Sequence, residues 1–547
     1  MIDIEGVQFD IDLAIKRVKC DMRDDWFQDP FLFEDYLKPE IIKEKLEKFK
    51  LKYEPTISCH FDIPKSGFVI RHSIETNMLD RIMYQALVDK IAPYFDKILK
   101  PNVYSHRLDN QKGHERYFFI NGVEQWLQFN RKIESELNET NPILLVTDLT
   151  NFFENINVNL LIDELKKNIL PDLKLNVEEE KECKKVLEML FKLLKKWTVP
   201  HTQRGISQNR NPSSFLANIY LSSIDHEMIS NGYNYYRYMD DIRFTCPDRF
   251  KARKYLKDLI AELRKKGLNV NSKKTQILNK NNPDDQVKLT DFLPSPDRTI
   301  EGIDSRLKKK RAEDIQQAVP MLRRKILELI RDKKTQDREF RFCVNRFETL
   351  LRNKTLKGLI DVSEIIPRII IELIEQPWSS DSFIKFLRCV QLNEEHFISL
   401  TDILSNPDKS VYEWQSYYLW QLMVSHDYKS DSLIKLARKN IKDGRSLKPE
   451  IAGSCLYLAA LGTVHDKMFI ANNFSNFTDF FTQRLALISV KDLDYKTVIE
   501  KHVKPYILPE YEGCYSVLNS DYKDMYINPP QPLRMSELFN YLPDIIS

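Results

Sequence analysis

The chain has 547 residues, of which 42% are hydrophobic and 11% aromatic, a composition that excludes a disordered protein and predicts several domains. Its formal net charge is +3, so the total charge does not indicate a partner class, and any cationic surface has to be local. The eight Cys residues are scattered without a Cys-x-x-Cys pair, which argues against a zinc ribbon and a disulfide framework.

The sequence also makes a membrane location or secretion an unfavourable interpretation. The opening residues, Met-Ile-Asp-Ile-Glu, lack the basic and apolar regions of a secretory signal, and no apolar stretch approaches about 18 residues. We therefore expect a cytoplasmic protein without a membrane partner. Gly is scarce, with 13 residues, while Leu, Ile, Lys and Glu abound, so the predicted fold class is α+β, mostly α.

The first region, residues 1–140, mixes helices with one hairpin. Residues 61–71 read Phe-Asp-Ile-Pro-Lys-Ser-Gly-Phe-Val-Ile-Arg, in which Ser66 and Gly67 separate two β-prone runs. Residues 74–99 then carry apolar positions at helical spacing. The pattern predicts a β-hairpin followed by a long helix.

The second region, residues 141–297, contains strands that end in acids. The apolar run Ile-Leu-Leu-Val-Thr at 143–147 predicts a buried strand, and it is followed directly by Asp148. Further along, the spacing predicts a helix that ends at Gly267. Short strands are predicted at 268–278 and 287–293.

Two adjacent acids stand in the middle of an aromatic and β-branched run at 235–244, Tyr-Tyr-Arg-Tyr-Met-Asp-Asp-Ile-Arg-Phe. Neighbouring side chains of a strand point to opposite faces, so a buried acid beside a second acid is costly unless a cation offsets it. A polar hairpin turn is one interpretation of Asp240 and Asp241. A metal site is the other.

The third region, residues 298–547, has a different character. Residues 306–334 are dense in Lys and Arg, and amphipathic helices then alternate with short turns to the end of the chain. We expect stacked helix pairs in a solenoid-like array, although no fixed sequence period accompanies them. The domain boundary is placed at 297–305.

The acids of the second region favour the metal interpretation. Carboxylate oxygens suit Mg²⁺, which takes its remaining ligands from water and substrate phosphates. Two such ions can activate a 3′-hydroxyl and stabilise a leaving pyrophosphate, which is the chemistry of nucleotidyl transfer. We therefore expect two Mg²⁺ ions, with Mn²⁺ as an alternative, bridged by Asp148 and Asp240, with Asp241 as a weaker ligand.

Three motifs, in order, resemble those of reverse transcriptases over about residues 60–295. Residues 148–153, Asp-Leu-Thr-Asn-Phe-Phe, resemble the first acidic motif, and residues 237–241, Arg-Tyr-Met-Asp-Asp, resemble the palm hairpin. Residues 267–275 resemble the segment that follows this hairpin. The resemblance implies a right-hand polymerase with fingers and palm, which would be a nucleotidyltransferase acting on dNTPs.

The resemblance also implies roles for individual residues. Phe153 would hold an aromatic ring against the sugar's 2′ carbon, and Lys65 and Arg71 would present cations to the triphosphate. Lys274 would lie near the leaving pyrophosphate, as a general acid. Core packing is the alternative interpretation for Phe153, and a solvated surface charge is the alternative for Lys65 and Arg71.

A loop and helix at 204–218 resemble the family's segment that lies against the nucleotide and the template base. Gln208 and Asn218 match that segment, whereas Ser207 and Asn209 replace the usual Pro and Gly, so we expect template binding to differ. The same resemblance assigns Tyr238 to the substrate-contacting residues. It assigns Leu149, beside Asp148, to the metal ligands.

The long helical C-terminal region, with Tyr-Ser-His-Arg-Leu at 104–108, resembles the abortive-infection reverse transcriptases of bacteria and prophages. That implies a HEAT-like helical-repeat domain in place of a thumb and a homo-oligomer, trimeric or hexameric. It also implies phage defence by untemplated DNA synthesis primed by a protein tyrosine, which would leave single-stranded DNA attached to that Tyr. Residues 306–334 would be the cationic segment nearest the product, or simply a solvated helix face.

Two other functions stay open at this point. One is a template-dependent, RNA-directed DNA polymerase of the retron or group II type. The other is a nucleic-acid-binding scaffold with a vestigial palm. The sequence does not single out a priming tyrosine among its 24 Tyr residues.

Overall fold

The computed structural model describes residues 1–511 except 23–24, 32, 34–35, 199–201, 294–297, 310, 353–359 and 444–448. Residue 297, where the predicted domain boundary at 297–305 begins, and the end of the predicted third region, beyond residue 511, lie outside the described residues, whereas residues 298–305 are described as part of a helix. The remainder of all three predicted regions can be compared with the sequence-based expectations.

The strands form two hairpins and one four-stranded antiparallel sheet, with the strand order β6-β7-β5-β8. They are β1 (Ile2–Ile4), β2 (Val7–Phe9), β3 (Cys59–Lys65), β4 (Val69–Glu75), β5 (Ile143–Thr147), β6 (Asn234–Tyr238), β7 (Asp241–Cys246) and β8 (Gln276–Asn279). β3 pairs with β4, which confirms the predicted hairpin, and its turn contains Gly67 at a φ of +84°. This left-handed conformation favours Gly.

Helices surround these strands in the first two regions. They are α1 (Ile11–Asp21), α2 (Pro39–Glu47), α3 (Met78–Phe95), α4 (Gly122–Glu136), α5 (Phe152–Asn155), α6 (Val158–Asp163), α7 (Val177–Trp197), α8 (Asn211–Tyr220), α9 (Ser222–Ser230), α10 (Arg249–Lys265) and α11 (Pro283–Phe292). α10 ends just before Gly267, as predicted, and β8 occupies the end of the strand predicted at 268–278.

The strand predicted at 287–293 is wrong, because these residues form the end of α11 and the residue after it. The Asn282 side chain accepts a hydrogen bond from the Asp284 N–H, and Pro283 stands at the first helical position. Both features favour a helix start, and they outweigh the short apolar run that follows.

The central sheet is covered by helices on both faces. Leu145 and Phe244 belong to the main core, where α10 packs against β5 and β7 through Leu259. On the other face, Leu144 and Val146 form a second, smaller core with aromatic and aliphatic residues of α4. The alternation of side chains along each strand therefore leaves only the strand ends available for a site.

The C-terminal region consists of helices that pack in two rows. They are α12 (Arg298–Lys308), α13 (Ala312–Arg331), α14 (Arg338–Arg352), α15 (Ile365–Glu375), α16 (Ser380–Leu387), α17 (Glu394–Ser405), α18 (Glu413–Ser425), α19 (Asp431–Lys442), α20 (Pro449–Leu461), α21 (Val464–Asn472) and α22 (Phe480–Val490). From α13 onwards, each helix contacts the helix two places along the chain. Two-row stacking of this kind is typical of solenoids. Assignment to the HEAT class stays a prediction.

The row that contains α18 and α22 packs against the start of the chain. Trp414 Nε1 and the Tyr418 hydroxyl both donate hydrogen bonds to the Trp26 carbonyl, at 2.7 and 2.8 Å. Arg484 forms a buried ion pair with Asp29 at 2.7 Å. Helices α18 and α22 of the C-terminal region therefore contact the N-terminal segment around Trp26 and Asp29. Within the described part of the chain, no helix is both long enough and apolar enough to cross a membrane.

Candidate active site

Two acids separated by 92 positions in the sequence meet at one edge of the central sheet. β5 pairs with β7 so that Thr147 lies opposite Ile242, which places Asp148 beside the two-residue turn that joins β6 to β7. Met239 and Asp240 form this turn, and Met239 has a φ of +56°. A left-handed conformation at Met is unusual, so the surroundings must stabilise the turn.

Arg237 is the residue that stabilises the turn. Its guanidinium is fully buried and donates to both carboxylate oxygens of Asp225, to Asn218 Oδ1 at 2.7 Å and to the Met239 carbonyl at 3.1 Å. The Met239 N–H in turn donates to Ser105 Oγ at 2.7 Å. Both backbone polar groups of Met239 are thus bonded to buried side chains, which fixes the position of the adjacent Asp240.

Asp240 and Asp148 influence each other electrostatically. Burial, together with the negative charge of Asp148, raises the pKa of the Asp240 carboxyl to about 6. Lys274 Nζ lies 2.8 Å from Asp148 Oδ2 and remains largely exposed. No described Lys, Arg or His forms an ion pair with Asp240, so its repulsion from Asp148 is only partly offset.

Asp241 has different surroundings, although it is the next residue. Arg243 approaches it with two nitrogens, Nε 3.2 Å from Oδ1 and Nη2 2.9 Å from Oδ2. The Arg243 guanidinium is buried over the rings of Phe129, at 4.7 Å, and Trp126, at 5.3 Å, and also donates to Asn130 Oδ1. This arrangement directs the Asp241 carboxylate towards α4.

The residues at this edge fit a magnesium ion that shares its ligands with a substrate. Among the described residues, no group of three or more His, Cys, Asp and Glu side chains could hold a metal ion. Mg²⁺, however, commonly binds through one or two carboxylates plus substrate phosphates, and Asp148 and Asp240 supply such a pair. Leu149 has a buried side chain without ligand atoms, so only its backbone could serve as predicted.

Two cations of the β3–β4 hairpin, Lys65 and Arg71, interact electrostatically with these acids. Burial lowers the pKa of Lys65, the charges of Arg71 and Lys274 lower it further, and the charges of Glu154 and Asp148 oppose the shift. Burial likewise lowers the pKa of Arg71, while the charges of Glu154 and Asp240 oppose that shift. The structure therefore brings Lys65, Arg71 and Lys274 together around the acidic pair.

Phe153 and the loop that precedes α8 are also neighbours. The Phe153 carbonyl accepts a hydrogen bond from the Ile206 N–H, while its half-buried ring packs against Phe152. Gln208 is buried in this loop. Asn209, which stands where the family usually has Gly, has a φ of +53°, and Asn is one of the residues that tolerate this conformation.

The side chains of two other predicted substrate contacts are hydrogen-bonded within the protein, and their substrate roles stay predictions. Asn218 is fully buried, with its amide nitrogen donating to the Ser105 carbonyl and its oxygen accepting from Arg237. The Tyr238 hydroxyl donates to the Gly122 carbonyl at 2.9 Å, and its ring packs against Trp126. Both side chains hold the β6–β7 hairpin in place.

The sequence-based reasoning assigned no role to Arg237, Arg243 or Asp225. The sequence did contain an indication of their roles, since Arg237 and Arg243 stand within the aromatic and β-branched run at 235–244. A charged residue in a central strand has to be paired when it is buried. Its partners could not be named, because Asp225 and Asn130 lie on separate helices.

Residues 63–314 match a family model described as "Reverse transcriptase (RNA-dependent DNA polymerase)". The chain therefore contains a reverse transcriptase domain, as the three motifs predicted, and a domain of this kind implies nucleotidyl transfer in general. No curated protein matches the sequence.

Among solved structures, telomerase from Candida albicans in complex with the TWJ fragment of telomeric RNA is similar at a TM-score of 0.30 and 11% identity. The alignment covers 70% of this chain and 65% of the telomerase chain, so the chain spans slightly less than two thirds of that relative. A similarity this low supports no functional argument.

Proposed function

We propose that this protein is a metal-dependent DNA polymerase that joins dNTPs into a strand. The observation that carries the proposal is the meeting of Asp148 and Asp240 at one sheet edge, surrounded by Lys65, Arg71 and Lys274. Paired carboxylates beside three cations are suited to a nucleoside triphosphate with its divalent ion.

Each residue of the site has a defined task in this reaction. Asp148 and Asp240 would hold Mg²⁺, which when bound supplies activation of the attacking hydroxyl and neutralisation of the leaving group. Lys65 and Arg71 bind the triphosphate oxygens and orient them. Lys274 is placed to donate a proton to the pyrophosphate that leaves.

We further propose that synthesis is untemplated and starts from a protein tyrosine, within a trimeric or hexameric homo-oligomer that acts in abortive-infection defence against phage. The loop before α8 supports this choice, because it departs from the template-binding pattern at Ser207 and Asn209. The engagement of Asn218 inside the protein supports it as well, since that amide is not directed at a nucleotide. The product would be single-stranded DNA attached to the enzyme.

One assay tests both the proposed polymerase activity and the proposed protein priming. Purified protein is incubated with Mg²⁺ and labelled dNTPs, without nucleic acid, and separated under denaturing conditions. Label that migrates with the protein and is removed by DNase supports protein priming. Strict dependence on an added primer and template would instead indicate the copying enzyme, and no incorporation under either condition would indicate a scaffold with a vestigial palm.

The matched controls use single acids. Asp240→Asn removes the charge at the site without changing the side-chain shape, and we expect it to abolish labelling. Asp492→Asn removes a charge at an exposed acid that pairs with Lys467 near the end of α22, and we expect full activity. Equal activity of the two variants would contradict the assignment of the site.

A further inference from the structure

Helix α10 carries more net positive charge than the whole chain. Its 17 residues include seven Lys or Arg and two acids, a net charge of +5, whereas the complete sequence has a net charge of +3. We define the cationic face of α10 as Lys251, Arg253, Lys254, Lys257 and Arg264. All five are exposed.

The cationic face has no acidic partners within the described structure. No salt bridge joins any of its five residues to a described acid. The two acids of the helix are already engaged, because Asp258 accepts a hydrogen bond from the Tyr233 hydroxyl at 2.6 Å and Glu262 pairs with Lys265 at 2.7 Å. Its positive charge is therefore not neutralised by ion pairs with described residues.

Helix geometry places these like charges close together. Arg253 and Lys257 are four positions apart, and Lys251 and Lys254 are three apart, spacings at which like charges repel and destabilise a helix. The opposite side of α10 is fixed, because Ala252, Leu259 and Leu263 are buried in the main core. The helix cannot rotate to relieve the repulsion, so an anionic partner would stabilise it.

The cationic face leads towards the candidate active site. α10 is about 25 Å long, from 17 residues at about 1.5 Å each. Beyond its C-terminal end, the Asn271 N–H donates to the Asp148 carbonyl at 2.7 Å. Lys273 and Lys274, which follow directly, are exposed. Exposed cations thus continue from the outer surface of α10 to the acidic pair.

We propose that the cationic face of α10 binds the phosphate backbone of a single strand of nucleic acid, independently of base sequence. Exposed Lys and Arg side chains without ion pairs to described acids, spread over about 20 Å of the helix from residue 251 to residue 264, match the repeated charges of such a strand. The contact is separate from catalysis and goes beyond the polymerase function proposed above. The strand can be DNA or RNA, because both present the same phosphodiester charges.

The test is a binding measurement on the full chain without Mg²⁺ or dNTPs, so that it does not depend on polymerase activity. Fluorescent oligo(dT) and oligo(U) of about 20 nucleotides are titrated by anisotropy between about 50 and 200 mM KCl. The test variant replaces Arg253, Lys254, Lys257 and Arg264 by Gln, a good helix former. Circular dichroism checks that it folds.

The control variant makes the same change of charge where each cation has an acidic partner. Lys132, Lys167, Lys184 and Lys409, which lie outside residues 306–334, pair with Glu136, Asp163, Glu180 and Asp402. Replacing these four by Gln lowers the net charge equally. It therefore separates a specific surface from a general effect of charge.

We expect the α10 variant to lose about tenfold or more in affinity for both oligonucleotides. The slope of log K against log salt should fall by about 2–3, from about 0.7 for each lost phosphate contact. The control should change neither. Equal losses in the two variants, or no loss in the α10 variant, would overturn the proposal.

Two further measurements keep the proposal testable if the fourfold variant is unstable. Lys257→Glu alone should reduce the affinity and the salt slope, whereas Arg253→Lys should retain both because the charge is kept. Vesicles of phosphatidylserine in phosphatidylcholine address a lipid surface. If the α10 variants lose vesicle binding but keep oligonucleotide binding, the proposal is overturned.

Discussion

The adjacent aspartates on the two sides of the β6–β7 hairpin have different electrostatic surroundings. On one side, Asp240 faces Asp148 and lacks an ion pair with any described residue, and its pKa is raised to about 6. On the other side, Asp241 is held by Arg243, which is packed on the aromatic rings of α4. The comparison shows that the acid on the side of Asp240, which we call the open side, is left for a cation from outside. The acid on the side of Asp241, which we call the closed side, is neutralised by the protein itself.

The largest expected effect is on the open side of the hairpin. Asp240→Asn should lower nucleotide incorporation by roughly a thousandfold, because a ligand for the divalent ion is lost. Asp148→Asn should behave alike. Incorporation assays check both, and thermal unfolding should show intact folds. If either variant retained a tenth of the activity, the assignment of that acid as a ligand of the divalent ion would be contradicted.

Lys274→Met should have the next largest effect. The lysine pairs with Asp148 and is placed to donate a proton, so its loss should lower the maximal rate by about a hundredfold. Lys274→Arg keeps the positive charge with a much less acidic group. The pH profile of incorporation for the two variants separates proton donation from charge neutralisation.

Arg243→Met tests the closed side of the hairpin. Removal of the guanidinium leaves Asp241 without its partner and should destabilise the fold by about 2 kcal/mol, reduced from the value for a fully buried pair because Asp241 is partly exposed. Activity should fall by about tenfold. The double variant Asp241→Asn/Arg243→Met should be more stable than the sum of the single changes predicts. Additivity, measured by urea unfolding, would show that the ion pair does not position Asp241.

The final effect, which is on stability alone, concerns the pH dependence of the metal-free protein. Because the pKa of Asp240 is raised in the folded state, its protonated form favours folding, and the folded protein loses stability as the pH rises from about 4 to about 6. Above pH 7 this contribution is constant. Asp240→Asn lacks it and should be more stable than the wild type at pH 7 by about 3 kcal/mol, from about two pKa units. Urea unfolding with EDTA at several pH values checks the sign.

The sequence predicted the open side of the hairpin better than the closed side. Asp148, Asp240 and Lys274 lie in short motifs whose spacing carries their chemistry, so their meeting could be anticipated. The partner of Asp241 could not, because Arg243 is positioned by rings of α4 more than a hundred positions away. The prediction of a strand at 287–293 was wrong for a local reason, because an apolar run that short does not distinguish a strand from a helix.

The ion pair between Asp29 and Arg484 has a consequence for how the molecule is made. The two residues are 455 positions apart, and ribosomes add about 5–20 residues per second. The N-terminal segment therefore waits roughly 20–90 seconds for the helix that neutralises its buried acid. Completion of the fold around Trp26 and Asp29 therefore requires that α22 has been synthesised, and a chain shortened before α22 would leave that segment with an uncompensated charge.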